Sequence, residues 1–404
     1  MLFTLIKNEW IKLFKRTKTW IVFLLFIAVV VLGTVALFYD EKNSEKYHSP
    51  SYQLNECNEQ IKSQTKRADE IKDSKNKDDQ NEYAQIQSQL AQLNMEKEQY
   101  EEAVKHVGEK DGWKKTLDKE IETTKTQISE TIDKDQKAQL EQQLAKLKYM
   151  QENNIDNSNE WRVNPYKTTQ MLFAILGSAL LIIGIAIFMS DIVSGECTPP
   201  TLKFLLIQPI SRAKVLLSKF IAVTTTVIAM IMSTEIIAFL VVGAIKGFEF
   251  AKYPVILGTK YKMDNSNVAA GPHLVEVAGS GYIATNSEYV LKAFLLQLLF
   301  IITCCAFIFM ISSIFKSSMI TMSISIALVF AVNIVSQLVS VIRKIAHLIF
   351  INYGSVCQVL EGNIAGQYNN ANLTLTNAII VMIVTSIVSY VIAHLVFSKR
   401  DILI

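Results

Sequence analysis

No Gly-x-x-x-x-Gly-Lys-Ser/Thr run occurs in these 404 residues, so the chain has no phosphate loop with which to bind ATP. Gly-x-Ser-x-Gly is missing too, and no paired carboxylates stand inside the apolar runs, which removes the usual serine-hydrolase and acid–base sites. Five histidines (His48, His106, His273, His347, His394) lack metal-ligand spacing and read as surface or interface residues. Five cysteines make no disulfide framework. Cys197 reads as cytoplasmic, and Cys304 and Cys305 as buried in a span. Cys57 and Cys357 read as external, where two unpaired thiols are the expectation although the pair is able to bond in principle. An enzyme is therefore not expected.

What the chain does have is apolar length. Half of its residues are hydrophobic, yet 19% are charged, and a sequence with both must keep them apart. Between Asp40 and Tyr166 stand 20 basic and 27 acidic residues, a net charge near −7, while the rest of the chain carries 20 and 10, near +10. A basic membrane portion suits anionic lipid and gives no reason to expect nucleic acid. Six runs are long enough to cross a bilayer, which takes about 20 residues each: 19–39, 167–190, 216–245, 289–314, 319–340 and 377–397. The first is too long and continuous for a signal peptide, and no small-residue cleavage site follows it. Lipid offers the backbone no hydrogen-bond partner, so the expected fold class is all-α, a polytopic six-helix transmembrane bundle.

Lys7, Lys12, Lys15, Arg16 and Lys18 precede the first run against a single Glu9, which holds the N-terminus in the cytoplasm by the positive-inside rule. Six crossings return the tail, 398–404, to the same side. Segments 40–166, 246–288 and 341–376 then lie outside, and 191–215 inside. Residues 1–18 read as an interfacial helix, with Leu2, Phe3, Leu5, Ile6, Trp10, Leu13 and Phe14 toward one face; a plain charged anchor is the simpler alternative.

The outer insert, 40–166, is rich in Glu, Gln, Lys and Asp. Tyr83, Ile86, Leu90, Leu93, Lys97, Tyr100, Val104 and Val107 step alternately by three and four. After the turn at Gly108-Glu-Lys-Asp-Gly112 the step returns in Leu117, Ile121, Thr124 and Ile128, and after Asp133-Lys-Asp135 in Leu140, Leu144 and Leu147. This pattern predicts an antiparallel coiled-coil hairpin between spans one and two. Ile61, Gln64, Ala68 and Ile71 give a weaker, earlier helix. Such a seam shows packing, and leaves open whether the insert is a spacer or a receptor for an external ligand. Segment 247–288 reads as a loop rich in Gly and Asn. Within 341–376, Ile345 to Ile351 is too short to cross and reads as helices dipping into the outer leaflet.

One carboxylate, Glu235, falls inside the third span. A charge at depth costs at least about 2.5 kcal/mol, so it faces the bundle interior or a water-filled path. It is either part of a translocation path or proton-linked site, or a protonated carboxyl hydrogen-bonded to a neighbouring helix. Gln297, Asn333 and Gln337 are the candidates to share its surroundings.

The inner loop is short and basic. Glu196, Lys203, Arg212, Lys214 and Lys219 surround the apolar stretch Phe204-Leu205-Leu206-Ile207, as in an amphipathic helix that docks on a soluble partner. Thr201-Leu202-Lys203-Phe204-Leu205-Leu206 and Pro209-Ile210-Ser211-Arg212 resemble the first cytoplasmic loop of type-two ABC exporter permeases. That loop has an acidic residue, a Thr-x-Lys-x-Leu-Leu core, Pro-x-Ser-Arg, and a Lys opening the next span. Family members often have Gly-Thr where this chain has Pro199-Pro200-Thr201, a stiffer entry. The resemblance covers the membrane portion and leaves the insert unexplained.

It implies a permease subunit. Two copies, identical or sister chains, would form the pathway, and a cytoplasmic ABC ATPase dimer would bind ATP and Mg, so no cofactor is expected on this chain. Glu196, Thr201, Lys203, Leu205, Leu206, Ile207, Pro209, Arg212 and Lys214 would make the ATPase contact, with the apolar three in a groove and Glu196 and Arg212 setting register. An N-terminal elbow helix and re-entrant outer helices between spans five and six are also implied. The coiled-coil insert and lysine-rich composition suggest a Gram-positive cell, where permeases of this type often clear antimicrobial peptides or other amphipathic toxins; lipid, ion or cell-wall precursor export stays open. The alternative is a six-span surface receptor or secretion-machine component whose external coiled coil binds a ligand or phage without an ATPase. Loop 196–219 weighs against it. A sensor paired with a signalling kinase would use the insert as its detector.

Overall fold

A computed structural model of the chain describes residues 2–72, 76–106, 109, 111–131, 133–177, 179–197, 211–264 and 273–399. In chain order the described helices are α1 (Leu2–Lys15), α2 (Thr17–Ser44), α3 (Pro50–Ile71), α4 (Lys77–Lys105), α5 (Gly112–Glu130), α6 (Lys134–Asn153), α7 (Pro165–Leu176), α8 (Leu180–Met189), α9 (Arg212–Lys246), α10 (Asn286–Ile314), α11 (Ser318–Leu338), α12 (Ser340–Ile345), α13 (Val356–Glu361), α14 (Ile364–Gln367) and α15 (Leu375–Lys399). The chain divides into two compact units, one of residues 1–35, 164–251 and 255–404, the other of 36–163 with 252–254.

In the first unit, α2, α9, α10, α11 and α15 are long and apolar enough to cross a membrane, and α7 with α8 makes a sixth if the bent pair is one span. α10 is the central helix: 61% of its apolar window is buried, against 11% for α2, which leaves its flanks to lipid. Phe300, Ile301, Cys304, Cys305, Ile308 and Phe309 all lie in the core. α15 runs along α10, and the two are tied where Ser386 Oγ donates to Thr303 Oγ1 at 3.0 Å. Small hydroxyls serve between helices in lipid, where close approach and interhelical hydrogen bonds replace the hydrophobic drive.

The second of the six apolar runs, expected as one span over 167–190, is broken. α7 begins at an Asn164 cap that accepts the Lys167 N–H at 2.9 Å, with Pro165 in the first turn. It ends at Gly177, whose φ of 37° and ψ of −155° few side-chain-bearing residues adopt, and α8 leaves at 63° to α7. A run of apolar residues shows that a segment avoids water, but it does not show that the segment is straight.

The stretch expected as an irregular loop, 247–288, contains strands. β1 (Pro254–Leu257) pairs with β4 (Tyr282–Thr285), and β2 (Tyr261–Asp264) runs antiparallel to β3 (His273–Glu276), with Tyr261 opposite Glu276 and Asp264 opposite His273. Gly258 and Thr259 N–H groups bond the carbonyls of Leu360 and Glu361 at 2.8 and 2.9 Å, hooking this sheet onto α13. Gly362, at φ 95°, must lack a side chain there, since a Cβ would run into the Thr259 carbonyl. The segment after α11 forms short helices, α12 to α14, around buried Phe350, Tyr353 and Ile364.

The second unit is helical. α4 packs on both α3 and α5, and α5 packs on α6. Ile86 of the seam is buried with Ala68 and Ile71 of α3, with Tyr83 and Leu90 against them. The seam therefore serves the earlier helix as well as the later one. Leu117, Ile121 and Thr124 are buried on α5, and Leu147 and Met150 on α6. Outside, Arg67 grips Glu82 with two bonds of 2.8 and 3.0 Å, both partners exposed. Cys57, Cys304, Cys305 and Cys357 are free thiols.

Gly177→Ala forces a side chain into a conformation that favours glycine, and we expect it to cost about 1–3 kcal/mol. Gly184→Ala, in the middle of α8 with open space where its Cβ would go, is expected to be neutral or stabilising by under about 1 kcal/mol. Thermal unfolding of the two variants in mild detergent checks the contrast.

Candidate functional site

The groups that surround the basic loop are assembled at one end of the spans. α1 lies along α9. Leu13 is buried at the contact, and Trp10 donates its indole N–H to the Ala222 carbonyl and the Thr225 hydroxyl, both at 3.1 Å. Beside it Lys219, only 2% exposed, meets Glu9 Oε2 at 3.1 Å, while Lys12 holds Glu9 Oε1 at 2.9 Å. Burial alone would raise the Glu9 carboxyl, but Lys219 and Lys12 outweigh it and hold Glu9 below the ordinary carboxylate range. An ammonium among apolar helices is tolerable only with such a partner, because its desolvation cost is otherwise uncompensated.

Asp191, just past α8, accepts from Arg16 at 3.3 Å and Lys18 at 3.0 Å, which ties the start of α2 to the end of the bent pair. One turn on, the Ser312 hydroxyl at the end of α10 accepts the N–H groups of Val193 and Ser194, each at 3.2 Å, and contacts the Ser190 carbonyl at 3.2 Å. The chain thus enters the loop from a turn stitched to the central helix. It leaves through α9, where Arg212 Nη1 donates to the Ser398 carbonyl of α15 at 3.4 Å. Lys214 lines a groove of 340 Å³ with Leu217, Tyr390 and His394.

Of the residues expected at the ATPase contact, Thr201, Lys203, Leu205, Leu206, Ile207 and Pro209 lie outside the described residues. Glu196 is placed by its backbone in the 3-10 turn Ser194–Cys197, and its side chain is also outside the description. Arg212 and Lys214 open α9 as the sequence suggests. The residues that sequence reasoning missed are the flanking ties: Glu9 with Lys219, Asp191, and Ser312. A lone acid within a strongly basic helix was the available signal for the first.

Deeper in the spans, Gln297 Nε2 donates to Glu235 Oε1 at 2.8 Å, both residues being buried. Glu235 Oε2 and Gln297 Oε1 have no hydrogen-bond partner among the described residues. Both are acceptors while the carboxyl is ionised, and one proton on Glu235 would turn one of them into a donor. Asn333 donates to the Val329 carbonyl on its own helix at 2.9 Å, and the backbone carbonyl of Gln337 accepts from Arg343 Nε at 2.6 Å. Among the described residues no cluster of His, Cys, Asp or Glu is arranged to hold a metal ion.

Lys219→Met leaves Glu9 half-buried without its partner and is expected to destabilise the docked α1 by about 3 kcal/mol, with much of that recovered in the Glu9→Gln, Lys219→Met double variant. Because Glu9 titrates low in the folded state, its contribution is complete at neutral pH and is lost as pH falls through its lowered value; protease accessibility of α1 against pH reads both effects. Glu235→Gln keeps a hydrogen-bonding amide opposite Gln297 and should leave detergent stability near wild type, whereas Glu235→Leu strands that amide at about 1–3 kcal/mol. Equal losses in these two variants would show that the pairing does not matter.

The sequence profile of the ABC-2 family transporter proteins matches residues 3–402, running through the helical insert as well as the spans. An uncharacterized protein of Bacillus subtilis (strain 168), YhcI, is 24% identical over 292 residues, covering 72% of this chain and 84% of the relative. No solved structure matches the chain. Apolar helices in this number, a basic end with the loop between them, and a family match over nearly the whole length agree: the chain belongs to the ABC-2 family of membrane transporter proteins.

Proposed function

We propose that this chain is the permease subunit of an ATP-driven exporter in a Gram-positive plasma membrane, moving an amphipathic substrate such as an antimicrobial peptide, a toxin or a lipid-like molecule. A separate cytoplasmic ATPase dimer would bind ATP and Mg, since the chain has no phosphate loop. Two permease copies, identical or sister chains, would enclose the path, with lipid around them. On this reading both termini are cytoplasmic and 40–166 is extracellular; the clustering of α1, the start of α2, Asp191, Arg212 and Ser398 at one basic end supports that orientation.

The observation that carries the reading is the stitching on both flanks of loop 196–214. Ser312 grips the chain before it, and Glu9 grips Lys219 after it. A push on the loop by a closing ATPase dimer would reach α10 and the α1–α9 pair through these hydrogen bonds at its flanks. Glu196, Thr201, Lys203, Pro209, Arg212 and Lys214 would position the loop, and Leu205, Leu206 and Ile207 would fill the ATPase groove. Glu235 with Gln297, and Asn333 and Gln337 on α11, are proposed as polar points along the path.

Replacing one buried apolar anchor should cost about 2 kcal/mol of docking. Leu206→Asp is accordingly expected to lose the co-purifying ATPase and ATP-coupled export while membrane insertion survives. Affinity purification of the tagged chain from its native membrane, with mass spectrometry of what accompanies it, reads this directly; an ATPase retained at full stoichiometry by Leu206→Asp would remove the loop from the coupling.

A further inference from the structure

Between α2, α8 and α9 lies a cavity of 250 Å³ whose lining side chains are all apolar, among them Ile21 and Val29 of α2, Gly184 and Phe188 of α8, and Ile231 of α9. A pocket without polar groups does not hold ordered water. The wall is open on the α8 side because Gly184 has no side chain; a Cβ built there meets nothing within 4 Å. Along α2 the lining runs from Ile21 to Val29, eight residues and so about 12 Å, close to the half-thickness of a bilayer's hydrocarbon core at about 15 Å. The lining along α2 therefore covers most of the depth of one leaflet.

One end of it is charged. Lys18 stands one turn before Ile21, and Asp191 one turn after Phe188; Arg16 and Lys18 both bond Asp191, two cations on one carboxylate, an excess positive charge among the described residues. Flanking these cations in sequence, Trp20 and Phe14 are exposed, their rings 6.3 Å apart, with the indole N–H donating to the Phe14 carbonyl at 2.9 Å. Exposed aromatics with basic residues mark the headgroup level of a spanning protein. A volume of 250 Å³ spread along about 12 Å suits a single hydrocarbon chain and not a helix from a second copy, which is about 10 Å across with its side chains.

We propose that this cavity binds one acyl chain of an anionic phospholipid from the leaflet where α2 begins, with the headgroup phosphate held by Arg16 and Lys18. The apolar channel selects a hydrocarbon tail and the uncompensated charge selects an anionic head. The site stands apart from the exporter reading, since it needs neither an ATPase nor transport.

The test uses the full chain in nanodiscs of phosphatidylcholine containing trace phosphatidylglycerol with a photoactivatable acyl chain, and maps labelled peptides by mass spectrometry. Labelling within 21–29 and 180–188 is expected to exceed several-fold that given by the same photoactivatable chain on phosphatidylcholine, and to be displaced by unlabelled phosphatidylglycerol. Gly184→Leu, which fills the cavity, should lose most of this labelling, while labelling at the lipid-facing Val384 and Ile387 of α15, 53% and 59% exposed, stays at its wild-type level and reports an intact fold. Unchanged cavity labelling in a folded Gly184→Leu overturns the site. Equal labelling by the two headgroups in the wild-type chain, which requires no variant to fold, overturns the charge selection and with it the proposal.

Discussion

A lysine ammonium cannot stand alone among apolar helices, and the placement of Lys219 organises much of what surrounds it. Its position on α9 is 2% exposed, so the chain has to bring it a carboxylate. Glu9 is that carboxylate, and delivering it places α1 against α9, where Trp10 bonds the Ala222 carbonyl and Leu13 joins the core. Once α1 is fixed, the turn at Arg16 fixes the start of α2, and Arg16 and Lys18 can reach Asp191. One ion pair thus sets the arrangement of the first helix, the first span and the turn into the loop.

The same logic of polar ties in an apolar medium recurs through the bundle. Ser312 closes the turn at 190–194 onto α10, and Ser386 and Thr303 join α15 to it. Each tie is a small hydroxyl on one helix satisfying a backbone or hydroxyl group of another segment. On the proposed function, such ties at its flanks are the route by which a loop between α8 and α9 would act on the bundle.

Much of this was legible in the sequence where a single periodicity or composition decides the outcome. Continuous apolar length marks out the spanning helices, and a three-four step marks α4 and α5. The pairing of Glu235 with Gln297 follows from the scarcity of polar groups within spans, which leaves a buried acid few partners. Asn333 donates to a carbonyl of its own helix and the backbone carbonyl of Gln337 accepts from Arg343, neither bond involving Glu235. The strands at 254–257, 261–264, 273–276 and 282–285 escaped notice because four-residue segments carry too little pattern, and the hook of Gly258 and Thr259 onto α13 depends on residues about a hundred positions away.

Composition and local pattern alone determined that this chain is a helical membrane protein with a charged helical insert, since burial in lipid and backbone satisfaction admit few alternatives. The tertiary structure decided the rest: the break at Gly177, the partner of Lys219, the grip of Ser312 on the loop's entry, and the cavity beside Gly184. None of these is written in a local run of residues. Each arises where two distant segments meet, and a one-dimensional pattern records which residues avoid water without recording which of them face one another.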